Sequence, residues 1–330
     1  MTRGNKLSIE RQSWPIAGGF TISRGTKTTA DVILVTIAQR EHIGRGECVP
    51  YARYGESLAS VEGEIESVRK AVEEGLDRAG LQELLPAGAA RNAIDCAMVD
   101  LEAKRAGKPA WEILGLTKAP APVVTAYTLS LDTPEKMAEK ARANAERPLF
   151  KLKLTGEGDL ERVAAVKQAA PRTRLIVDAN EGWQPEMVEP YAAKLAALGV
   201  EMIEQPLPAD ADAMLANIDH PVTLCADESA HDSEGLDKLV GRYDMINIKL
   251  DKTGGITEAL ALKTAAETAG LEIMVGCMLA TSLAMAPAVL VGQGAKVVDL
   301  DGPLLLAQDR EPALRFEGST IQPPEPALWG

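Results

Sequence analysis

Histidine is scarce in this chain: three in 330 residues, His42, His220 and His231. Imidazole chemistry therefore has few candidates, and a catalytic base is expected among other side chains. Cysteine is scarce too. Cys48, Cys96, Cys225 and Cys277 lie far apart with no CxxC pair, which excludes a disulfide frame or a zinc site and fits reduced thiols in a cytoplasmic protein. No run of about 18 apolar residues occurs, so no membrane span is expected. MTRGNKLSIERQSW, at the start, lacks the apolar stretch of a signal peptide. Basic residues are in deficit, 35 against 48 acidic ones, for a net charge of −13 and a pI near 4.9. Nucleic acid or an anionic membrane would require a clustered basic face. A small-molecule partner is expected instead, and a homo-oligomer is compatible with such a surface.

What is present is ordinary for a globular enzyme, at 46% hydrophobic and 25% charged residues. The length suits one β/α barrel of roughly 200–250 residues plus a smaller domain. Within residues 1–118, KLSIERQSW and DVILVTIAQ alternate like antiparallel strands, separated by the turn-like GGF and RGTK. Two helical segments follow, one near 57–75 with Ile65, Val68 and Val72 in helical register. The other is near 90–106, with Ile94, Met98 and Leu101 on one face. These make an α+β capping domain. KAPAPVV, at 118–124, reads as a linker. Over 119–303 eight strand candidates recur: VVTAYTLS, FKLKL, RLIVDA, VEMIEQ, VTLCAD, MINIKL, EIMVG and KVVDLD, with seven helical stretches between them. The fold class is α/β, a (β/α)7β modified TIM barrel, whose right-handed crossovers put all strand C-termini on one face. The Pro-rich segment 304–330 is expected to pack back on the cap.

Five polar side chains recur along the barrel at a near-constant interval. Lys153, Asp178, Glu204, Asp227 and Lys249 are separated by 25, 26, 23 and 22 residues, each at or after the end of an apolar run. That interval is one strand plus one helix, so the five converge at the barrel mouth. Three hard carboxylates on adjacent strands suit Mg²⁺, and no soft or imidazole ligand is near to favour zinc. Lys151 and Lys153 share a strand face and point inward, with Lys249 across the barrel. The set reads as a chelated metal flanked by two bases. The cation and the neighbouring ammonium groups are expected to lower the lysine pKa values.

The stretches KLK, VDAN, IEQPLP, ADES and NIKLDKTGG resemble the enolase superfamily, muconate-lactonizing-enzyme subgroup. The resemblance implies that Asp178, Glu204 and Asp227 bind one Mg²⁺ and that Lys153 and Lys249 are opposed acid/base partners. It also implies that Lys151 assists by stabilising an enolate. The last strand ends in Asp299-Leu300-Asp301, whose carboxylates share a face and can receive a cation. On the cap, Ser23-Arg24-Gly25 and the loop around Arg53 supply guanidinium groups. A substrate with an ammonium at one end and a carboxylate side chain at the other satisfies both, as Ala-Glu does.

SRG, YARYGES, LPAGAARNAIDCA, GCML and DLDGP are similar to the L-Ala-D/L-Glu dipeptide epimerases of bacteria, over about residues 10–317. This implies epimerisation of L-Ala-D-Glu or L-Ala-L-Glu, an isomerase reaction, by two-base 1,1-proton transfer, in the recycling of cell-wall peptides. Asp299 and Asp301 would hold the dipeptide ammonium and Arg24 the Glu side chain. Thr128, Arg53, Cys277 and Met278 are candidate pocket walls. Other readings with the same site are a dipeptide epimerase of different specificity, a cycloisomerase and an o-succinylbenzoate synthase. The DxD pair argues against the last two, whose substrates carry no ammonium. A barrel reduced to a binding scaffold would lack a carboxylate or a lysine, and this chain keeps them all.

Overall fold

The computed structural model describes residues 4–330. It opens with a long antiparallel hairpin, β1 (Lys6–Ile22) and β2 (Gly25–Gln39), extended by β3 (His42–Cys48). GGF is not a turn between strands. It lies within β1, where the register shifts between Pro15 and Phe20 and Gly18 and Gly19 take positive φ. The hairpin reverses at Ser23 and Arg24.

Strand β3 escapes a reading by propensity because glycine occupies two alternate positions. Packing accounts for them. Helix α1 (Leu58–Glu74) starts at Ser57, whose side chain accepts from the Ser60 N–H, and buries Val61, Ile65, Val68 and Val72. Helices α2 (Arg78–Leu84) and α3 (Ala89–Ala106) complete the layer, and α3 lies against β3 at backbone contact. A Cβ at Gly44 would fall 2.1 Å from Ala97 O, and one at Gly46 2.1 Å from Ala93 O. Thermal unfolding of two variants tests this. Gly46→Ala is expected to destabilise by about 1–3 kcal/mol or more through overpacking. Gly63→Ala, in α1 with nothing near its added methyl, is expected to stabilise by up to about 1 kcal/mol.

After α4 (Ala110–Ile113) and β4 (Val123–Val124), eight parallel strands pair in chain order. They are β5 (Tyr127–Leu129), β6 (Leu149–Lys153), β7 (Arg174–Asp178), β8 (Val200–Glu204), β9 (Thr223–Ala226), β10 (Met245–Ile248), β11 (Glu272–Gly276) and β12 (Val297–Asp299). The Ala126 N–H donates to Val298 O at 2.8 Å, which joins the first strand to the last and closes the barrel. Around it lie α5 (Pro134–Ala143), α6 (Asp159–Ala169), α7 (Pro185–Ala197), α8 (Leu250–Thr253), α9 (Ile256–Thr268) and α10 (Ser282–Val291).

Two of the seven expected helices are only six-residue 3₁₀ segments, Asp212–Asn217 and Ser233–Lys238. Their sequences are too short and too polar to carry a helical apolar stripe. After α11 (Gly302–Leu305), the chain forms β13 (Phe316–Glu317) and β14 (Thr320–Ile321), and β14 pairs with β4, so part of the supposed linker is a strand. Trp329 Nε1 donates to Cys96 O at 3.0 Å on α3, and Arg310 ion-pairs with Glu47 of β3. Among the described residues no helix is long and apolar enough to cross a membrane.

Candidate active site

Strand alternation builds the barrel interior in layers. Ala126, Leu149, Ile176, Met202, Cys225, Met245, Met274 and Val297 form an apolar floor, one from each strand or the residue before it. Two residues further on, the same face carries Thr128, Lys151, Asp178, Glu204, Asp227, Asn247, Gly276 and Asp299. Another step of two reaches Lys153, Asn180, Lys249, Met278 and Asp301 at the mouth. The polar layer is thus a direct product of period-two patterning in eight strands resting on one hydrophobic plug.

Carboxylate oxygens of Asp178, Glu204 and Asp227 lie within 4.8 Å of one another, all buried. Each meets a lysine. Lys153 Nζ is 2.6 Å from Asp178 Oδ2, Lys249 Nζ is 2.7 Å from Asp227 Oδ2, and Lys151 Nζ is 2.7 Å from Glu204 Oε2. Lys151 also reaches Asp299 Oδ2 at 2.8 Å. Burial alone would lower Lys151 and Lys249, yet the facing carboxylates hold both well above the ordinary lysine value. The sequence led us to expect the opposite shift, because it counted the cation and the like charges but not the direct lysine–carboxylate contacts. Burial raises Asp178 and Asp227, but their lysine neighbours outweigh it and keep both low. Glu204 is pushed up to about 7 by burial and by Asp178.

Seven buried side-chain polar atoms lack a hydrogen-bond partner among the described residues, and five of these are acceptors at this mouth: Asn180 Oδ1, Glu204 Oε2, Glu228 Oε2, Asn247 Oδ1 and Asp299 Oδ1. The approach of Lys151 to Glu204 Oε2 is electrostatic only, without hydrogen-bond geometry. Unpaired acceptors beside three hard carboxylates fit a small hard cation, and Mg²⁺ in particular.

Several supporting residues were not picked out from sequence. Asn247 donates to Glu204 Oε1 at 2.8 Å, and a Cβ at Gly276 would meet the Asn247 side chain at 2.6 Å. Its position two before Lys249, on the same strand face, was the available signal. Lys252 is buried with Nζ 2.7 Å from Asp227 Oδ1. Gln205 Oε1 accepts the N–H groups of Asp227 and Ser229 at 2.9 and 3.1 Å, orienting the turn after β9. Nothing in a single sequence assigns Lys252 and Gln205 these contacts.

A cavity of about 520 Å³ opens above the lysines, between barrel and cap. Lys153, Lys249, Asp227, Arg24, Arg53, Cys277 and Met278 line it. Thr128, Asp299 and Asp301 do not. Thr128 is buried and its N–H donates to Asp301 Oδ2 at 2.6 Å, while burial and Asp299 push Asp301 up to about 7. Arg24 reaches Glu228 Oε1 at 2.8 Å, and Arg53 makes a two-pronged pair with Glu181 at 2.7 Å. Glu181 and Asn180 follow Asp178 on a loop with positive φ, and Asn180 O accepts from Ser23 Oγ and Arg24 Nη1, both at 3.1 Å. The β7 loop therefore grips the cap hairpin.

Asp251, just after Lys249, ties the cap down from the other side. Its Oδ1 accepts from the Val49 N–H at 3.0 Å and Asn92 Nδ2 at 2.8 Å. Burial, with nearby Glu56 and Glu47, pushes it up to about 7. A carboxyl raised on folding binds its proton more tightly in the folded than in the unfolded state. Its contribution is complete below the ordinary Asp pKa and is lost as pH rises through about 7. Asp251→Asn keeps the accepting oxygen and removes the titration. The variant is expected to lose less stability than the parent between about pH 4 and about pH 7, by on the order of 4 kcal/mol at most. Denaturant unfolding at the two pH values measures it, and equal slopes would contradict the assignment.

Two family models match the chain: "Mandelate racemase / muconate lactonizing enzyme, N-terminal domain" over residues 5–115, and "Enolase C-terminal domain-like" over residues 136–327. The chain is 48% identical to the L-Ala-D/L-Glu epimerase of Escherichia coli K12, covering 94% of this chain and 97% of that one. It is 45% identical to an N-acetyl-D-glutamate racemase of a Pseudoalteromonas species, over 91% and 95%. A solved enolase-family member from Agrobacterium tumefaciens with homology to dipeptide epimerases, holding sodium and L-Ala-L-Glu, superposes with a TM-score of 0.97 at 55% identity, over 99% and 100% of the two chains. The Enterococcus faecalis dipeptide epimerase, solved with Mg and L-Leu-L-Tyr, superposes at 0.91 with 30% identity over 99% of each.

Proposed function

We infer the substrate from the premise that this chain belongs to the mandelate racemase/muconate lactonizing enzyme family of the enolase superfamily. It is an isomerase, an epimerase of amino acid derivatives, and its cofactor is Mg²⁺. We propose L-Ala-D-Glu and L-Ala-L-Glu as the substrate pair. What supports this reading is the DxD end of β12: Asp299 Oδ1 has no donor and Asp301 stands two residues further on, a pair of carboxylates able to receive an ammonium.

Mg²⁺, held by Asp178, Glu204 and Asp227, would supply the positive charge that makes the substrate's α-proton acidic and its enolate accessible. Lys153 at the end of β6 and Lys249 just past β10 stand four strands apart in an eight-stranded barrel, hence on opposite sides of the mouth. One takes the α-proton from one face and the other returns a proton to the opposite face. Two bases give inversion where one would return the proton to the side it left. Lys151, buried at the centre among Glu204, Asp178 and Asp299, stays protonated and donates toward the carboxylate as negative charge builds there. Asp299 and Asp301 would orient the ammonium, and Arg24 the Glu side chain. Such a substrate is a fragment of bacterial cell-wall peptide, which fits a role in recycling it in the cytoplasm.

The relative acting on N-acetyl-D-glutamate supports a second reading, because that substrate shares the Glu half. It brings an uncharged acetyl group to the DxD end, leaving the Asp299 oxygen without a partner at a cost of about 1–3 kcal/mol. A chiral assay of L-Ala-D-Glu against N-acetyl-D-Glu decides between them. The dipeptide is expected to win by tenfold or more, with activity abolished by a chelator and restored by Mg²⁺; preference for the acetyl compound would overturn the assignment of Asp299 and Asp301.

Lys153→Ala is expected to abolish epimerisation while one epimer still exchanges its α-proton with D₂O through Lys249. General-base removal of this kind typically costs about 10²–10⁴ in rate. Full epimerase activity in that variant would contradict the two-base mechanism.

A further inference from the structure

Arg24 is not a spare cation. Its Nη2 lies 2.8 Å from Glu228 Oε1 and its Nη1 3.3 Å from Glu181 Oε2, and Glu181 also takes Arg53 at 2.7 Å. Two guanidinium groups and two carboxylates sum to no net charge. Arg24 can still donate hydrogen bonds to an anionic side chain entering this arm of the cavity, but a net positive charge has to come from a further cation.

Lys27 is that cation. It lines the cavity, exposed on β2 just past the hairpin tip, and makes no ion pair among the described residues; Asp31, the carboxylate of β2 that also lines the cavity, lies beyond ion-pair distance of it and accepts from Ser13 Oγ at 2.5 Å. Its Nζ lies 5.5 Å from the Tyr51 ring centroid, and the Arg24 guanidinium lies 5.9 Å from the same ring. The Tyr51 hydroxyl accepts from Arg24 Nη2 at 3.0 Å, so one aromatic platform steadies both cations. The hairpin register points the same way. Lys27 is paired directly with Phe20, so the two side chains share a face. The Phe20 ring centroid is 5.9 Å from the Nζ of Lys153. Lys27 therefore stands one side chain away from the proton-transfer lysine.

Resting on the dipeptide reading above, we propose that Lys27 is a specificity-determining residue. Its ammonium supplies the uncompensated positive charge that selects an anionic side chain at the second residue of the dipeptide.

The test compares kcat and KM for L-Ala-L-Glu and its neutral isostere L-Ala-L-Gln in the parent enzyme with Mg²⁺, in Lys27→Gln and in Lys27→Arg. Lys27→Gln is expected to raise KM for the Glu dipeptide roughly tenfold with kcat nearly unchanged. The Gln dipeptide should change less than about twofold, and Lys27→Arg should restore the Glu preference. Added KCl should erode the Glu preference of the parent and leave that of Lys27→Gln alone. A Glu-over-Gln ratio unchanged in Lys27→Gln, or a loss equal for both dipeptides, overturns the proposal while leaving the Ala-Glu reading intact. A parent enzyme with no preference for Glu over Gln overturns both.

Discussion

Three carboxylates crowded at the top of a closed barrel are the constraint on which the rest of the structure turns. Like charges within 4.8 Å, away from water, repel strongly and cannot all ionise without positive partners. The chain supplies those partners from the strands on either side. Lys151 and Lys153 come from β6 and Lys249 follows β10, with Lys252 one turn later. The lysines proposed for proton transfer are also the counter-ions that let the carboxylates sit together. Removing a single lysine would leave a buried carboxylate under-compensated, so catalysis and local stability are linked here. A divalent cation held by Asp178, Glu204 and Asp227 would take over part of that role.

The cap completes the site by contacts with loops that follow the metal-binding strands. Asn180 and Glu181, just past Asp178, hold Ser23, Arg24 and Arg53, while Glu228, just past Asp227, holds Arg24. The Asn180 N–H in turn donates to Asp178 Oδ1 at 2.9 Å. The position of the cap hairpin is therefore referred directly to the carboxylate cluster, through a loop held in a strained, positive-φ conformation. Asp251 does the same from the β10 side through Val49 and Asn92. A cap anchored this way brings the pocket's outer wall to the barrel mouth through hydrogen bonds and ion pairs on two sides.

Much of this was legible in the chain because a strand–helix repeat converts sequence spacing into spatial convergence. Lys153, Asp178, Glu204, Asp227 and Lys249 stand out from their regular interval alone, and the fold brings all five together. What was not legible depends on distances that no period encodes. Arg53 and Arg24 read as free cap arginines; only the folded chain brings Glu181 and Glu228 to them. The upward shift of Lys249 and Lys151 required knowing that each amine touches a carboxylate. Strand β3 was hidden because its glycines lower β propensity while serving the backbone contact with α3 at Gly44 and Gly46. The two 3₁₀ connections, at 212–217 and 233–238, were over-read because a regular repeat was expected to continue.

The division of labour between the two domains follows from their rigidity. Proton transfer as proposed needs its amines fixed to a fraction of an ångström, and Lys153 and Lys249 sit on or beside barrel strands over a packed apolar floor. Selection of the substrate side chain needs only charge and reach. The groups proposed for it, Arg24 and Lys27, lie on the hairpin tip beside the loop around Tyr51, on the cap side of the cavity and apart from the apolar floor. A charge change at the tip alters which side chain is attracted without altering which bond is broken. The conserved chemistry of a proton moved at the α-carbon can thus coexist with variation in the dipeptide or acylated amino acid accepted. Relatives acting on N-acetyl-D-glutamate and on L-Ala-D/L-Glu at 45% and 48% identity are consistent with this separation.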